Sequence, residues 1–182
     1  RLSVGPEARL EWVPEVTIPF AGSRFRQSIH VDLAPGATVV VWDAIASGRI
    51  AMQERWAFAD VENEIRIRTA SGASVIERYR VVPGRLPESV GLAGSWDYVA
   101  SLFVIGDAID AGVWKRLDVV LAAILEQRPG LVLGAVSTLA APGLAVKLVA
   151  RSAPDLTVTL EAIWAAVRED LWNLPAPNLR RY

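Results

Sequence analysis

Hydrophobic and polar residues alternate with a period of two along residues 10–23. The apolar side chains fall on even positions, with Pro14 alone interrupting: Leu10, Trp12, Val16, Ile18 and Phe20. This alternation is typical of a β-strand with one buried and one solvent-facing side. Pro14 and Pro19 have no N–H to donate to a neighbouring strand, so we expect this strand to lie at a sheet edge or to bend.

Short apolar runs separated by turn residues predict further strands through the first half of the chain. The predicted strands cover residues 1–4, 28–33, 38–42, 51–59, 62–69 and 74–82. Segment 38–42 is apolar and β-branched, which indicates a strand buried on both faces. The spacing of the strands is typical of a sandwich, a barrel or a β-solenoid, although no residue-level repeat supports a sequence-regular solenoid.

The second half of the chain mixes strand and helix patterns. Residues 95–105, 131–139 and 144–149 predict strands, while residues 112–127 and 156–172 carry apolar side chains at helical spacing. The apolar stripe of the last helix comprises Leu160, Ile163, Trp164, Val167 and Leu171, and we expect Asp155 to cap that helix. The sequence therefore predicts one mainly β domain over residues 1–182, with strands within 1–105 and 131–150 and two helices in the C-terminal half.

Composition excludes several classes of function. The 182 residues carry 19 basic and 20 acidic side chains, and this balance does not indicate a nucleic-acid surface. No apolar run reaches the roughly 18 to 20 residues of a membrane span. The chain has no cysteine, which rules out disulfides and thiolate metal sites and fits a reducing cytoplasm.

Conventional catalytic motifs are absent from the sequence. His30 is the single histidine, so a zinc or catalytic nickel centre built from this chain alone is not expected. No nucleophile elbow, P-loop or dinucleotide-binding glycine motif is present. A Ser-His-Asp arrangement would depend entirely on His30 lying beside a serine.

Two carboxylates stand out by their positions. Asp43 directly follows a buried apolar run, and Glu77 lies inside the predicted strand 74–82. A buried carboxylate needs a partner, a cation or water. One interpretation is that Glu77 pairs with Arg78 or with an arginine of a neighbouring strand; the other is that Asp43 and Glu77 face an internal polar channel.

Several segments resemble the UreD (UreH) family of urease accessory proteins. The segments that carry the resemblance are Leu10-Glu11-Trp12-Val13-Pro14-Glu15 followed by Thr17-Ile18, Phe20 and Gly22, then Trp42-Asp43, then Ser47-Gly48-Arg49-Ile50-Ala51 with Glu54, and Val75-Ile76-Glu77-Arg78. The resemblance covers the whole chain but only the C-terminal, larger part of the family's usual length, so we expect the N-terminal part to be missing. It implies an elongated, irregular β-rich fold with the C-terminal helices packed at one side.

The resemblance also implies a function. Members of the family are non-enzymatic, cytoplasmic scaffolds that dock apo-urease and the UreF- and UreG-type accessory proteins and help to pass nickel to the enzyme. On this basis Asp43 and Glu77 are expected to line a transient nickel passage, with no tightly bound cofactor. Sparse carboxylates suit such transit, because nickel binds nitrogen and sulfur cages too tightly to be released readily.

Partner docking is expected at the last helix. Ile163, Trp164 and Trp172 are the predicted interface residues, although Trp164, like Trp12, Trp42 and Trp96, also suits a place in the core. Arg49 and Glu54 either form a stabilising pair across a turn or contribute to docking. Gln53 stands where the family usually has glycine, and it would be strained if that position adopts a positive φ.

Two other functions remain open. A carboxylate-based hydrolase on a β scaffold would use Asp43 and Glu77 as acid and base, and it would need a water-filled cleft with the carboxyl groups roughly 5 to 9.5 Å apart. A purely structural role within a larger complex is the third possibility.

Overall fold

Three layers of secondary structure make up the fold. The computed structural model describes residues 1–83 and 94–179. Two β-sheets pack face to face, and two helices cover the outer side of the second sheet. The fold is therefore mainly β with both helices in the C-terminal half, as predicted.

The strands and helices of the described residues have the following bounds. They are β1 Leu2–Val4, β2 Arg9–Trp12, β3 Arg24–Leu33, β4 Thr38–Ala46, β5 Asp60–Arg68, β6 Ser74–Val81, β7 Tyr98–Gly106, α1 Ala111–Glu126, β8 Val132–Thr138, β9 Gly143–Ala150 and α2 Ala153–Trp172. The predicted strands at 28–33, 38–42, 62–69, 74–82, 95–105, 131–139 and 144–149 are confirmed within a few residues.

The chain winds alternately between the two sheets through its first five strands. The first sheet has the order β1-β3-β5-β6, and the second has the order β2-β4-β7-β9-β8. The pairs β1–β3, β3–β5 and β2–β4 are parallel, because each connection passes through the other sheet. The remaining pairs are antiparallel. The winding thus follows a solenoid locally, although the sequence shows no repeat.

Strand β4 is buried along its whole length, as its apolar run predicts. Val39 and Val41 face the first sheet and pack with its inward residues. Val40 and Trp42 face the helices. Successive side chains of a strand point to opposite faces, so β4 joins the two hydrophobic cores of the protein.

The helical layer differs from the prediction at one cap. Ser152, and not Asp155, caps α2: its hydroxyl accepts a hydrogen bond from the Asp155 N–H at 3.3 Å. The helix begins earlier than predicted because Pro154 suits its first turn. Asp155 lies within that turn and binds Arg128 at 2.6 Å. Among the helices of the described residues, none has the length and apolar character needed to cross a membrane.

The strand predicted at 51–59 is wrong. Ile50–Met52 forms a short 3₁₀ turn, and the residues after it form turns up to the start of β5. Gln53 and Trp56 have φ values of +60° and +54°. These left-handed conformations are incompatible with an extended strand.

The long strand predicted from residue 10 is also shorter than its alternation suggests. β2 ends at Trp12, and Thr17 makes one isolated bridge to Ile45 of β4. The edge position inferred from Pro14 is confirmed, since β2 is the first strand of the second sheet. Because no described strand covers its other side, Trp12 is 39% exposed and lies outside the core. Trp96 is half-buried.

The N-terminal strands are fastened to the last helix. Glu11 accepts hydrogen bonds from Trp164 Nε1 and from Arg168. The Trp42 and Trp164 rings meet edge to face with centroids 6.2 Å apart. These contacts join β2, β4 and α2 at one end of the second sheet.

We expect Gly143→Ala to destabilise the protein. A Cβ at this position would lie 2.2 Å from the Val104 carbonyl oxygen and 3.0 Å from the Ile105 Cα, so β9 would have to move away from β7. The free energy of unfolding should fall by about 1–3 kcal/mol or more in chemical denaturation. Gly5→Ala is the matched control, because a Cβ there meets no heavy atom within 4 Å. Equal stability of the two variants would contradict the prediction.

Candidate functional site

Asp43 is a buried carboxylate held only by neutral donors. It belongs to β4, faces the first sheet and is 5% exposed. Its oxygens accept hydrogen bonds from Gln27 Nε2 at 2.9 Å, Asn63 Nδ2 at 2.8 Å and the Tyr79 hydroxyl at 2.8 Å. Since none of these donors carries a charge, the ionised form of Asp43 would keep an uncompensated negative charge inside the protein.

The surroundings of Asp43 make its ionised form less favourable than it is in water. Burial raises the pKa of Asp43, the hydrogen bonds from Tyr79 and Gln27 oppose this shift, and the nearby Glu77 charge adds to it. Burial, reinforced by the Asp43 charge, also raises the pKa of Tyr79 well above its usual range. Tyr79 therefore stays a hydrogen-bond donor, and Asp43 gains from binding a proton or another cation.

Glu77 joins the two sheets through a lysine. Lys147 Nζ of β9 donates to both Glu77 oxygens, at 2.7 and 2.9 Å, and the Ser101 hydroxyl lies 3.4 Å from one of them. The predicted pairing of Glu77 with Arg78 or another arginine is wrong. Adjacent strand residues face opposite sides, so Arg78 points to the outer face and binds Glu64 at 2.6 Å.

Both carboxylates line one cavity. A space of about 640 Å³ opens between β6 and the second sheet, where the second sheet extends beyond the edge of the first. Its polar lining includes Asp43, Glu77, Tyr79, Ser101 and Lys147. Its apolar lining includes Ile45, Trp56, Val81, Val99, Leu133 and Val149. The structure thus places the two predicted site residues in the same cavity, with apolar side chains around them.

The donor set of this cavity is sparse. In the part of the chain that the structure describes, no group of three or more histidine, cysteine, aspartate or glutamate residues is arranged to hold a metal. His30 lies on the outer face of the first sheet, 3.2 Å from Glu64 and 2.9 Å from the Ser28 hydroxyl. A cation in the cavity would therefore have carboxylate oxygens as its anionic ligands and would keep water in its remaining positions.

The last helix places its three predicted interface residues differently. Ile163 and Trp164 are 0% and 3% exposed, because the apolar stripe of α2 packs against the second sheet. They are core residues, and a partner cannot contact them while α2 stays on the sheet. Trp172 is half-buried beneath the Arg9 guanidinium, 5.1 Å from its ring centroid, and the neighbouring Leu174 is 40% exposed.

The turn from Gly48 to Glu54 is braced by the pair predicted from the sequence. Arg49 Nε donates to Glu54 at 2.7 Å, and the Ala21 N–H donates to the same carboxylate at 3.2 Å. Arg49 also lies 4.5 Å above the ring of Phe20, which is 58% exposed. Gln53 does adopt the left-handed conformation anticipated for a glycine position.

Sequence reasoning missed the residues that surround the two carboxylates. They are Gln27, Asn63, Tyr79, Ser101 and Lys147. A signal existed for Asn63, which shares the buried face of β5 with Ile65 and Ile67. Lys147 interrupts an apolar run in the same way.

Comparisons with known proteins agree on one family. A family model described as "UreD urease accessory protein" matches residues 1–182. A urease accessory protein UreD from Deinococcus radiodurans is 36% identical over 179 residues, which cover 98% of this chain and 61% of that protein. The UreD of Haloarcula marismortui is 34% identical over 182 residues, covering 100% of this chain and 60% of that protein. This chain therefore spans about three fifths of the length of these relatives.

We expect Asp43 to make stability depend on pH. Its pKa in the folded state lies above the unfolded value, so the unfolded chain ionises first as pH rises and the free energy of unfolding falls. Asp43→Asn removes this contribution. The stability of this variant relative to wild type should rise with pH through the acid range and then level off. The total rise should be about 1.4 kcal/mol for each unit by which the folded-state pKa exceeds the unfolded one. Denaturant titrations between about pH 4 and pH 8 measure the difference in unfolding free energy between the variant and wild type. A difference that does not change with pH would contradict the prediction.

Proposed function

Because the chain belongs to the UreD family of urease accessory proteins, we propose that it is a non-enzymatic scaffold of urease maturation. In this role it docks apo-urease together with UreF- and UreG-type accessory proteins in the cytoplasm and passes nickel toward the enzyme. Neither nucleic acid nor a membrane takes part. The names of the relatives support a role in urease maturation, while the partners and the nickel step are part of the proposal.

The observation that carries the nickel step is the uncompensated Asp43 carboxylate in the cavity that Glu77 also lines. A divalent cation entering this space balances the Asp43 charge that burial disfavours. Carboxylates and water bind nickel more weakly than nitrogen or sulfur ligands do. Nickel is therefore attracted into the cavity without being trapped, as transit requires.

Lys147 adjusts the affinity of the same cavity. Its ammonium occupies both oxygens of Glu77, so an arriving cation must compete with it. When the cation leaves, Lys147 again neutralises Glu77. This competition lowers the affinity of the cavity for nickel and supports onward release.

Docking is assigned to the C-terminal end of α2. Trp172 and Leu174 reach the surface there beside Arg9, and aromatic and arginine side chains dominate binding energy at many interfaces. Ile163 and Trp164 hold the helix from inside and are not part of this surface.

The hydrolase alternative gains no support from the described residues. Catalysis by an acid and base pair needs one carboxylate free to accept a proton. Lys147 donates to both oxygens of Glu77, so Glu77 is not a free base beside Asp43. The relatives carry the name of accessory proteins.

The test of the nickel step is transfer to apo-urease in a reconstituted mixture of this chain with UreF- and UreG-type proteins. Asp43→Asn combined with Glu77→Gln should lower the nickel gained per urease by about tenfold or more, as judged from the usual effect of substitutions around metal ligands. Elemental mass spectrometry of the isolated urease measures this gain.

The control for the nickel test is Asp118→Asn combined with Glu126→Gln. Both residues lie on α1, which covers the other side of the second sheet, and the change in net charge is identical. This variant should transfer nickel as wild type does. If Asp43→Asn combined with Glu77→Gln still forms the complex and transfers as much nickel as wild type, the nickel step is rejected. The scaffold role is not affected by that result.

The docking surface is tested by Trp172→Ala in a pull-down with the UreF-type protein and apo-urease. We expect weaker retention, because this change removes an aromatic contact at the proposed surface. Val119 of α1 is 68% exposed, and Val119→Ala should bind as wild type does. Thermal melting of both variants separates lost docking from lost folding. If Trp172→Ala is retained as well as wild type, Trp172 is not part of the interface.

A further inference from the structure

The outer face of the first sheet is rich in arginine, and we call it the arginine face. Its basic residues are Arg1, Arg24, Arg26, Arg66, Arg68, Arg78 and Arg80. Its four carboxylates are Asp32, Asp60, Glu62 and Glu64. The chain as a whole has a net charge of −1, so this face concentrates positive charge on a nearly neutral protein.

The guanidinium groups stand above the carboxylates on this face. The Glu64 and Glu62 side chains are 15% and 30% exposed, whereas those of Arg78 and Arg26 are 61% and 77% exposed. A partner that approaches the sheet therefore meets guanidinium groups first. The carboxylates beneath hold the arginine stems in place.

Two carboxylates are shared among several cations. Asp32 binds both Arg1 and Arg68, at 2.8 and 2.7 Å. Glu64 binds Arg78 at 2.6 Å and Arg66 at 3.3 Å. One carboxylate cannot neutralise two guanidinium groups, so the excess positive charge lies around these two residues.

A shallow depression coincides with this excess charge. It has a volume of about 400 Å³, and its lining includes Arg1, His30, Asp32, Arg66 and Arg68. Arg66 and Arg68 are two residues apart on β5, and Arg78 and Arg80 are two apart on β6, so the Cα atoms of each pair lie about 7 Å apart along one face of the strand. The face thus repeats the same cationic spacing on neighbouring strands.

We propose that the arginine face docks an acidic surface of a protein partner, whose carboxylates bind Arg66 and Arg68 in the depression and Arg78 and Arg80 beside it. Arginine forms paired, directional hydrogen bonds with carboxylates, which lysine does not. This docking does not depend on nickel, and Arg80 is the one residue among these four that also lines the Asp43 cavity.

A protein fits this face better than a nucleic acid or a lipid surface. The four carboxylates between the arginines repel a continuous phosphate backbone, whereas a protein places its acidic side chains individually. Ile76, opposite Arg66 on β6, is 52% exposed and offers an apolar contact within the charged face. Apolar contacts bordered by polar and charged side chains are typical of protein interfaces.

The test is fluorescence anisotropy with a labelled decapeptide of alternating glutamate and threonine at low salt. Wild type should bind it, and Arg66→Gln combined with Arg68→Gln should weaken binding by about tenfold. The control, Lys115→Gln combined with Arg116→Gln on α1, lowers the net charge equally and should bind as wild type does. Absent binding by wild type, or equal weakening in both variants, would overturn the proposal.

A second variant keeps the proposal testable if the glutamine variant does not fold. Arg66→Lys combined with Arg68→Lys retains both charges and removes the paired guanidinium geometry. Weaker peptide binding than wild type supports the proposal, and unchanged binding overturns it. Tighter binding of wild type to decathymidylate or to phosphatidylserine vesicles than to the peptide would also overturn it, by assigning the face to a nucleic acid or a membrane.

Discussion

The fold depends on β4 being covered on both of its faces. A strand in this position has no access to water, so every side chain on it must pack or find a partner inside the protein. The valines and Trp42 meet this requirement by joining the two hydrophobic cores. Asp43 meets it only with hydrogen bonds from Gln27, Asn63 and Tyr79, which leave its charge unbalanced. A strand that is buried along its whole length therefore contains a carboxylate without a charged hydrogen-bond partner.

Much of the fold could be predicted from the sequence, because local pattern and tertiary environment agree. β4 and the two helices are examples, since a two-sided apolar run and a helical stripe each have one favourable packing arrangement. The prediction failed where backbone conformation is set by contacts distant in sequence. Gln53 and Trp56 take positive φ values in a turn whose Glu54 accepts a hydrogen bond from the Ala21 N–H, 33 residues earlier, and the apolar pattern of residues 51–59 does not reveal this. Trp12 is exposed because β2 is an edge strand, which depends on the strand order.

The candidate site could be predicted in part for the same reason. Asp43 and Glu77 attract attention as charges within strand patterns, and both do line one cavity. Lys147, Asn63 and Tyr79 come from three different strands, and strand pairing together with the packing of the two sheets decides that they meet the two carboxylates. The apolar stripe of α2 showed which side chains avoid water but not what covers them. Ile163 and Trp164 are covered by the protein's own sheet and not by a partner.

The contact between Glu11 and Arg168 has a consequence for the way the chain is made. Its two residues are 157 positions apart, so the second strand leaves the ribosome long before its partner helix exists. Until α2 is translated, Glu11 has neither Trp164 nor Arg168 to bind, and the helix-facing side of β4 lacks its cover. The helix-facing side of β4 therefore stays partly open until the last helix has been made and docks on it.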